Sequence, residues 1–238
     1  MSVGRILQSG GASVGITLSS QQSDILARYV ELVLDWRARA NLTGVRTQEE
    51  GARVLVLDAF GCLVALPQRG SIVDLGSGAG TPGIPIAVAR PDVCVVLVEA
   101  SRKKAGFLEV VLRELELANA EVLQTRAETL GRSPAHRGRH DAVTARALAS
   151  IPVLAEYALP LLRIGGVAVF LKGSGAAVQA RRAAGAVAIL GGEVQAEDPV
   201  LAPRPLVVLR KVAPTPERYP RRPGVPARRP LAVDPPGL

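Results

Sequence analysis

A strand that ends in an acid and runs directly into a glycine-rich turn constrains this chain more than any other feature. Residues 71–75 supply a short apolar strand, and Asp74 lies two residues before Gly76, the first of three alternating glycines. Glycines let the backbone turn sharply and approach a ligand without a Cβ in the way. Pro82 suits the first turn of a helix, where its missing N–H would have no partner. Such a strand–turn–helix unit holds a nucleotide-like cofactor at the carboxyl end of a sheet.

Two kinds of cofactor are compatible with this turn. Residues 78–83 match the G-x-G-x-x-G spacing of a dinucleotide site, and Glu99 follows about 20 residues later, as that motif requires. The upstream acid favours the other kind. Asp74 with the alternating glycines gives Asp-x-Gly-x-Gly-x-Gly, which is similar to the first motif of S-adenosylmethionine (SAM) methyltransferases. Pro82 also removes one N–H that a helix would turn toward a pyrophosphate, so SAM is favoured over a dinucleotide.

The order of apolar strands and amphipathic helices predicts an α/β fold of the Rossmann-like, class I SAM-dependent methyltransferase type. We place strands at about 71–76, 93–98, 120–125, 141–145, 166–171, 193–197 and 205–212, and helices at about 82–90, 101–118, 151–163 and 175–190. This alternation predicts a mostly parallel seven-stranded sheet with helices on both faces. A short Pro199–Pro203 connection joins the last two strands as a hairpin, so the last strand is expected to be antiparallel.

Composition divides the chain into four parts. Residues 1–17 are rich in Gly and Ser and are expected to be mobile, and residues 18–68 form an N-terminal helical cap. Residues 69–212 form the SAM-binding methyltransferase core. Residues 213–238 are a Pro/Arg-rich C-terminal arm with eight prolines and five arginines, which predicts an extended basic segment. Packing of this arm on its own domain is an equally weighted alternative.

Two capping boxes mark the helices of the cap. Ser19-Ser-Gln-Gln22 and Thr47-Gln-Glu-Glu50 each place a hydroxyl at the N-cap and an amide or carboxylate three residues later. Trp36 falls on the apolar stripe of the first helix and is expected to be a core residue rather than a surface for stacking bases.

Charge and cysteine usage limit the partners and the compartment. A formal net charge of +8 favours a polyanionic partner, although solubility alone is the alternative. Cys62 and Cys94 lie in apolar stretches and are expected to be buried hydrophobic residues, which fits a reducing cytoplasm. No apolar run is long enough to span a membrane, and no signal peptide is evident. We therefore expect a cytoplasmic monomer with no metal site and no membrane partner.

The ends of the second and third strands supply further cofactor candidates. Glu99 is suited to accept hydrogen bonds from both ribose hydroxyls, with a helix N-terminal acid as the alternative. The backbone N–H of Ala127 and the Glu128 carboxylate suit an adenine edge, unless Glu128 caps the next turn.

The ends of the fourth and fifth strands carry cations. Arg146 could meet the carboxylate of SAM or a polyanionic partner such as RNA, or it could instead pair with Asp74 or Asp141. Lys172 faces the same crevice.

The absence of certain motifs narrows the choice of atom that could accept the methyl group. No Asn/Asp-Pro-Pro-aromatic segment follows the fourth strand, which disfavours exocyclic amines, and neither cysteine ends a strand as the nucleophile for pyrimidine C5 would. Guanine N7 fits better because its lone pair needs no deprotonation. An enzyme acting on it gains mostly from proximity and orientation.

From about Leu18 to Arg210 the chain resembles the bacterial small-subunit rRNA guanine-N7 methyltransferases, the glucose-inhibited division protein B family. The shared residues are Trp36 with Asn41-Leu-Thr43, Leu57-Asp58, Asp74-Leu-Gly-Ser-Gly-Ala-Gly-Thr-Pro-Gly-Ile-Pro85, Arg90-Pro91, Arg126-Ala-Glu128, Arg146-Ala147, Leu171-Lys-Gly173 and Arg204. The resemblance implies methyl transfer from SAM to N7 of a guanine in the 530 loop of 16S rRNA, with the small ribosomal subunit as partner.

Carried over by position, the resemblance also implies roles for individual residues. The implied cofactor residues are Gly76, Thr81, Glu99, Ala100, Ser101, Ala127, Glu128 and Arg146, and the strand–turn motif itself adds Asp74 and Gly78. Asn41, Lys172 and Arg204 would lie near the target guanine or its phosphates.

Some positions depart from the family pattern. An Arg-His pair usually precedes the Leu-Asp-Ser of the second helix, where this chain has Val54-Leu55-Val56 before Leu57-Asp58-Ala59. Thr81 stands at a usually apolar position, and Pro205 replaces a His. The missing pair motivates one alternative, a SAM-binding rRNA or ribosome assembly factor with weak or lost catalysis. A small-molecule SAM methyltransferase is the other, and the basic charge argues against it.

Overall fold

Seven strands form one sheet in the computed structural model, which describes residues 3–195 and 205–232. The strands are β1 Gly70–Leu75, β2 Val93–Glu99, β3 Ala120–Gln124, β4 His140–Arg146, β5 Leu162–Leu171, β6 Gly192–Val194 and β7 Leu206–Lys211. Their order across the sheet is β3-β2-β1-β4-β5-β7-β6. The pairs from β3 to β5 are parallel, and β7 runs antiparallel to β5 and β6. The predicted sheet with its reversed last strand is therefore confirmed.

Helices cover both faces of the sheet, as predicted. The helical segments are α1 Val3–Ser13, α2 Ser20–Ala40, α3 Gln48–Gly51, a π-helix Ala52–Leu57, α4 Asp58–Phe60, a 3-10 helix Gly61–Val64, α5 Gly83–Ala89, α6 Arg102–Glu114, α7 Ala127–Leu130, α8 Ile151–Ala158, α9 Ala176–Arg182, α10 Ala184–Ile189 and α11 Val225–Arg228. The segments from α1 to α6 pack on one face, and α7 to α10 pack on the other. None of these described helices is long and apolar enough to cross a bilayer.

Burial on both faces explains the unbroken apolar runs of the central strands. Ile72 packs with the core that includes the cap helices, whereas its neighbour Val73 packs with the core under α8. Parallel strands covered on both sides show such continuous apolar sequence. Cys94 is an exception, because it alternates with the buried Val93 and Val95 and is exposed. The expectation of two buried cysteines is correct for Cys62 only.

The N-terminal segment differs from the expectation of a mobile stretch over residues 1–17. Residues 3–13 are a helix, α1, whose Ile6 and Leu7 are buried in the core. Its glycines allow close contact between helices, since a Cβ on Gly10 would lie 2.3 Å from Cδ1 of Leu57. The small residues that suggested mobility therefore serve packing.

One of the two predicted capping boxes is complete. The Ser19 side chain accepts a hydrogen bond from the Gln22 N–H at 3.1 Å, and Gln22 Oε1 accepts one from the Ser19 N–H at 2.9 Å. At the second site Thr47 accepts from the Glu50 N–H, but the Glu50 carboxylate accepts from Arg46 instead. Residues 48–64 then continue as an unbroken helical segment.

The C-terminal arm packs on its own domain over its described residues, 213–232. The ring of Tyr219 is buried in the core beneath α8. Pro226 lies in the first turn of α11, where it costs no hydrogen bond. Of the two alternatives for the arm, the structure therefore shows the packed one.

The complete capping box predicts a measurable local effect. We expect Ser19→Ala to lower the free energy of unfolding by about 1 kcal/mol, because the Gln22 N–H loses its acceptor. Ser20→Ala, one residue on and equally exposed, is the matched control and should have little effect. Urea denaturation of both variants checks this, and equal stabilities would contradict it.

Candidate functional site

A cavity of about 550 Å³ opens where the carboxyl ends of β1, β2, β3 and β4 meet. This volume is in the range of small-molecule sites, and its position is where open α/β sheets bind ligands. Eight of the predicted cofactor residues line it: Gly76, Gly78, Thr81, Glu99, Ala100, Ala127, Glu128 and Arg146.

The glycine turn after β1 is held by the neighbouring strand. The backbone N–H groups of Gly76 and Ser77 both donate to the Val98 carbonyl, at 2.8 and 3.1 Å. Gly76 has φ +66°, and a Cβ there would lie 2.7 Å from Leu148. The turn therefore requires glycine at this position and presents backbone to the cavity.

Asp74 lies beneath the turn and does not line the cavity. Its carboxylate accepts hydrogen bonds from the Gly83 N–H at 3.2 Å and the Thr144 hydroxyl at 2.9 Å. Complete burial raises the pKa of Asp74 to about 6, and these hydrogen bonds oppose that shift. The predicted cofactor ligand thus acts on the shape of the turn.

Glu99 closes β2 beside the turn. Its Oε2 accepts from the Gly78 N–H at 3.0 Å and its Oε1 from the Ser101 N–H at 2.8 Å. A carboxylate oxygen has two lone-pair sites, so each can accept a further bond from a ligand hydroxyl. Ser101 itself is the N-cap of α6 without a side-chain capping bond, and it is not in the cavity wall.

Glu128 is buried at the far end of the cavity, after β3. Its Oε1 accepts from the Tyr157 hydroxyl at 3.3 Å and from the Gly224 N–H of the arm at 2.8 Å. Burial, and next the Glu128 charge, raise the pKa of Tyr157 to about 12, so the phenol keeps its proton and donates it. Sequence reasoning missed both partners, because neither lies near a strand end.

Arg146 contacts the helical cap and not the two predicted aspartates. Its guanidinium donates to the Val54 carbonyl and lies 3.5 Å from the Asp58 carboxylate. Thr81 donates to the neighbouring Leu55 carbonyl at 2.7 Å. Both carbonyls belong to the π-helix, a geometry frequent at functional sites. The alternative of a pairing with Asp74 or Asp141 is therefore not the one seen, and the partners of Arg146 include Val54, Asp58 and Thr81.

Two of the three candidates for contact with guanine or phosphate, Asn41 and Lys172, lie outside the cavity wall. Asn41 ends α2 in a left-handed conformation, and the next two residues line the cavity instead. Lys172 donates to the Ala149 carbonyl at 2.8 Å. Arg204 lies outside the described residues.

The fold and the site together define the class of protein. Many α/β folds bind nucleotides in this crevice, but a seventh strand reversed between β5 and β6 is the arrangement of the class I SAM-dependent methyltransferases. The chain belongs to the rRNA small subunit methyltransferase G family, whose model matches residues 22–206. Family membership confirms the predicted enzyme class and its SAM cofactor.

Relatives of the same description cover nearly the whole chain. Ribosomal RNA small subunit methyltransferase G of Roseiflexus sp. (strain RS-1) is 44% identical over 222 residues, which are 91% of this chain and 95% of that protein. The Pelotomaculum thermopropionicum protein is 41% identical over 232 residues, 94% and 97% of the two chains. The Chloroflexus aggregans protein is 44% identical over 234 residues, 95% and 98%.

The raised pKa of Asp74 predicts how stability depends on pH. The folded chain holds the Asp74 proton more tightly than the unfolded chain, in which an aspartate has a pKa of about 3.9. The free energy of unfolding of the wild type should therefore fall relative to Asp74→Asn as pH rises from about 4 to 6. At 1.36 kcal/mol per pKa unit the relative fall is about 2–3 kcal/mol.

Chemical denaturation at several pH values measures this difference. Asp92→Asn, at an exposed aspartate, controls for the loss of one carboxylate. The free energy of unfolding of the wild type minus that of Asp74→Asn could instead stay constant or rise between pH 4 and 6. That result would show that burial does not destabilise the ionised form of Asp74.

Proposed function

We propose that this chain transfers the methyl group of SAM to N7 of a guanine in the 530 loop of 16S rRNA. The observation that carries the proposal is the family match, which spans all four strands that end at the cavity. The atom and the loop follow from the resemblance of the motifs, from Asp74 to Pro85 above all.

The cavity wall fits SAM in several respects. When bound, SAM supplies an electrophilic methyl group on a sulfonium. The turn at Gly76 and Gly78 offers backbone at close approach, and Glu99 offers carboxylate oxygens for the ribose hydroxyls. Ala127 and Glu128 would bind the adenine edge. These assignments are part of the proposal.

The residues of the cavity wall favour a methyl acceptor that needs no general base. The two carboxylates of the wall, Glu99 and Glu128, both accept backbone N–H groups, and no histidine or cysteine of the described chain lines the cavity. Guanine N7 attacks with a lone pair already in the ring plane. The residues around it then act by orienting the base and excluding water.

Cations at the mouth of the cavity suit an RNA substrate. Lys104 and Arg126 are in the cavity wall, and Arg102 and Lys103 are exposed on the same helix as Lys104. The Lys172 ammonium uses one of its three N–H groups at the Ala149 carbonyl, which leaves donors for a phosphate. We also propose that the enzyme works in the cytoplasm as a monomer.

Methyl transfer to ribosomal substrates tests the proposal directly. Labelled SAM would be incubated with 30S subunits and with deproteinised 16S rRNA, both unmodified at this site. Borohydride and aniline cleavage then maps N7-methylguanine. We expect one cut, in the 530 loop.

The other outcomes separate the alternatives. SAM binding without incorporation into either substrate would favour the assembly factor. A cut elsewhere would retain the reaction and reject the site. Binding of substrate that does not weaken with added salt would favour a small molecule over RNA.

Glu99 provides a test of the cofactor assignment alone. We expect Glu99→Ala to weaken SAM binding by about 1–3 kcal/mol, because ribose hydroxyls lose their acceptor. Isothermal titration calorimetry measures the dissociation constant. Glu121→Ala, at an exposed glutamate of the adjacent strand β3, is the matched control. An unchanged constant in Glu99→Ala would remove this residue from the site.

A further inference from the structure

The C-terminal arm, over its described residues 213–232, is hydrogen-bonded to an arginine of the methyltransferase core. The Arg137 guanidinium donates to the carbonyl oxygens of Thr215 at 2.8 Å and Tyr219 at 2.7 Å. Both of these arm residues are themselves buried. The first half of the arm is thus held along its backbone.

A buried ion pair fixes the next part of the arm. Glu156 of α8 has no exposed surface, and Arg221 donates to its carboxylate through Nε at 2.9 Å, Nη2 at 2.6 Å and the backbone N–H at 2.8 Å. Burying a carboxylate is strongly unfavourable unless it is paired. A bidentate guanidinium–carboxylate pair also fixes the relative orientation of the two side chains. The pair therefore determines where the following residues lie.

Those following residues enter the wall of the cavity. Gly224 and Ala227 line it, and the Gly224 N–H donates to Oε1 of Glu128. The Tyr157 hydroxyl donates to the same oxygen. The position of the Glu128 carboxylate in the cavity thus depends on the arm being docked.

We propose that the arm is a functional part of the SAM site: Gly224 and Ala227 contact the bound cofactor, and Gly224 holds Glu128 in position for it. The inference rests on SAM as the cofactor and not on which RNA is methylated. A basic tail that serves only to bind RNA would instead leave SAM affinity independent of the arm.

Thermodynamic linkage gives the proposal a consequence in the unaltered protein. If SAM contacts the arm only in its docked position, bound SAM must favour docking, and docking must favour SAM by the same factor. The opening of the arm therefore reports cofactor binding.

Limited trypsin digestion of the wild-type protein measures that opening. Arg228 lies at the end of α11 beside the cavity, so trypsin can cleave after it when this part of the arm opens locally, whereas the Arg181–Arg182 bond lies in α9, outside the cavity wall. We expect saturating SAM to slow cleavage at 228 by about fivefold or more, with little change at 181. Mass spectrometry of the products gives both rates. Equal rates at 228 with and without SAM would overturn the proposal.

A matched pair of alanine substitutions tests the contact itself. Ala227 is exposed and lines the cavity, and Ala232 is exposed in the same arm but does not line it. We expect Ala227→Trp to raise the dissociation constant for SAM about tenfold or more, because the indole occupies cofactor space. Ala232→Trp should bind like the wild type, and both variants should keep the wild-type Tm.

The two experiments are independent of the RNA target. A chain that methylates a guanine elsewhere would still show SAM protection and the effect of Ala227→Trp. If Ala227→Trp weakened RNA binding and left SAM binding unchanged, the arm would be an RNA contact and the proposal would be wrong.

Discussion

The geometry of the cavity depends on the buried carboxylate of Asp74. It receives the Gly83 N–H at the start of α5 and the Thr144 hydroxyl of β4, so it joins both ends of the glycine turn to the centre of the sheet. Within the turn, the Ser77 hydroxyl donates to the Asp74 carbonyl and the Thr81 hydroxyl donates to the Leu55 carbonyl. Together with the Asp74 carboxylate and the Val98 carbonyl, these contacts set the shape of the turn before any ligand arrives. Preorganisation of this kind lowers the entropy lost on binding.

The parts of the fold that could be predicted are those encoded locally. Apolar runs bounded by turns marked the strands, and the Ser19–Gln22 box marked the start of α2 through bonds three residues apart. The helix α1 could not be predicted in this way. A short isolated helix is marginal in water, and α1 is stabilised by packing against residues such as Leu57. Its glycines look like signs of mobility until that partner is known.

The candidate site divides along the same line. Glu99 and Glu128 could be found because Glu99 ends β2 and Glu128 comes shortly after β3, and the carboxyl ends of parallel strands meet at one edge. Their contacts to Gly78 and Gly224 differ in predictability, since the first is within one motif and the second joins distant parts of the chain. Arg146 shows the same limit. Its position at the end of a strand could be predicted. Its contact with the Val54 carbonyl could not, because that contact depends on a π-helix that no sequence pattern predicted.

The basic residues of this chain have two roles: some of them support the fold, and others place positive charge beside the cavity. Arg146, Arg163 and Arg221 form ion pairs with Asp58, Asp141 and Glu156, and Arg137 donates to backbone carbonyls, so these cations support the fold. Many other cations are exposed on the described surface, and two groups of them lie at the start of α6 and in the arm, at Arg222, Arg228 and Arg229. Both groups lie next to residues that line the cavity, Lys104 and Ala227. A polyanion bound at these two groups would lie beside the opening of the cofactor cavity, because charges attract over about 8–10 Å at physiological salt.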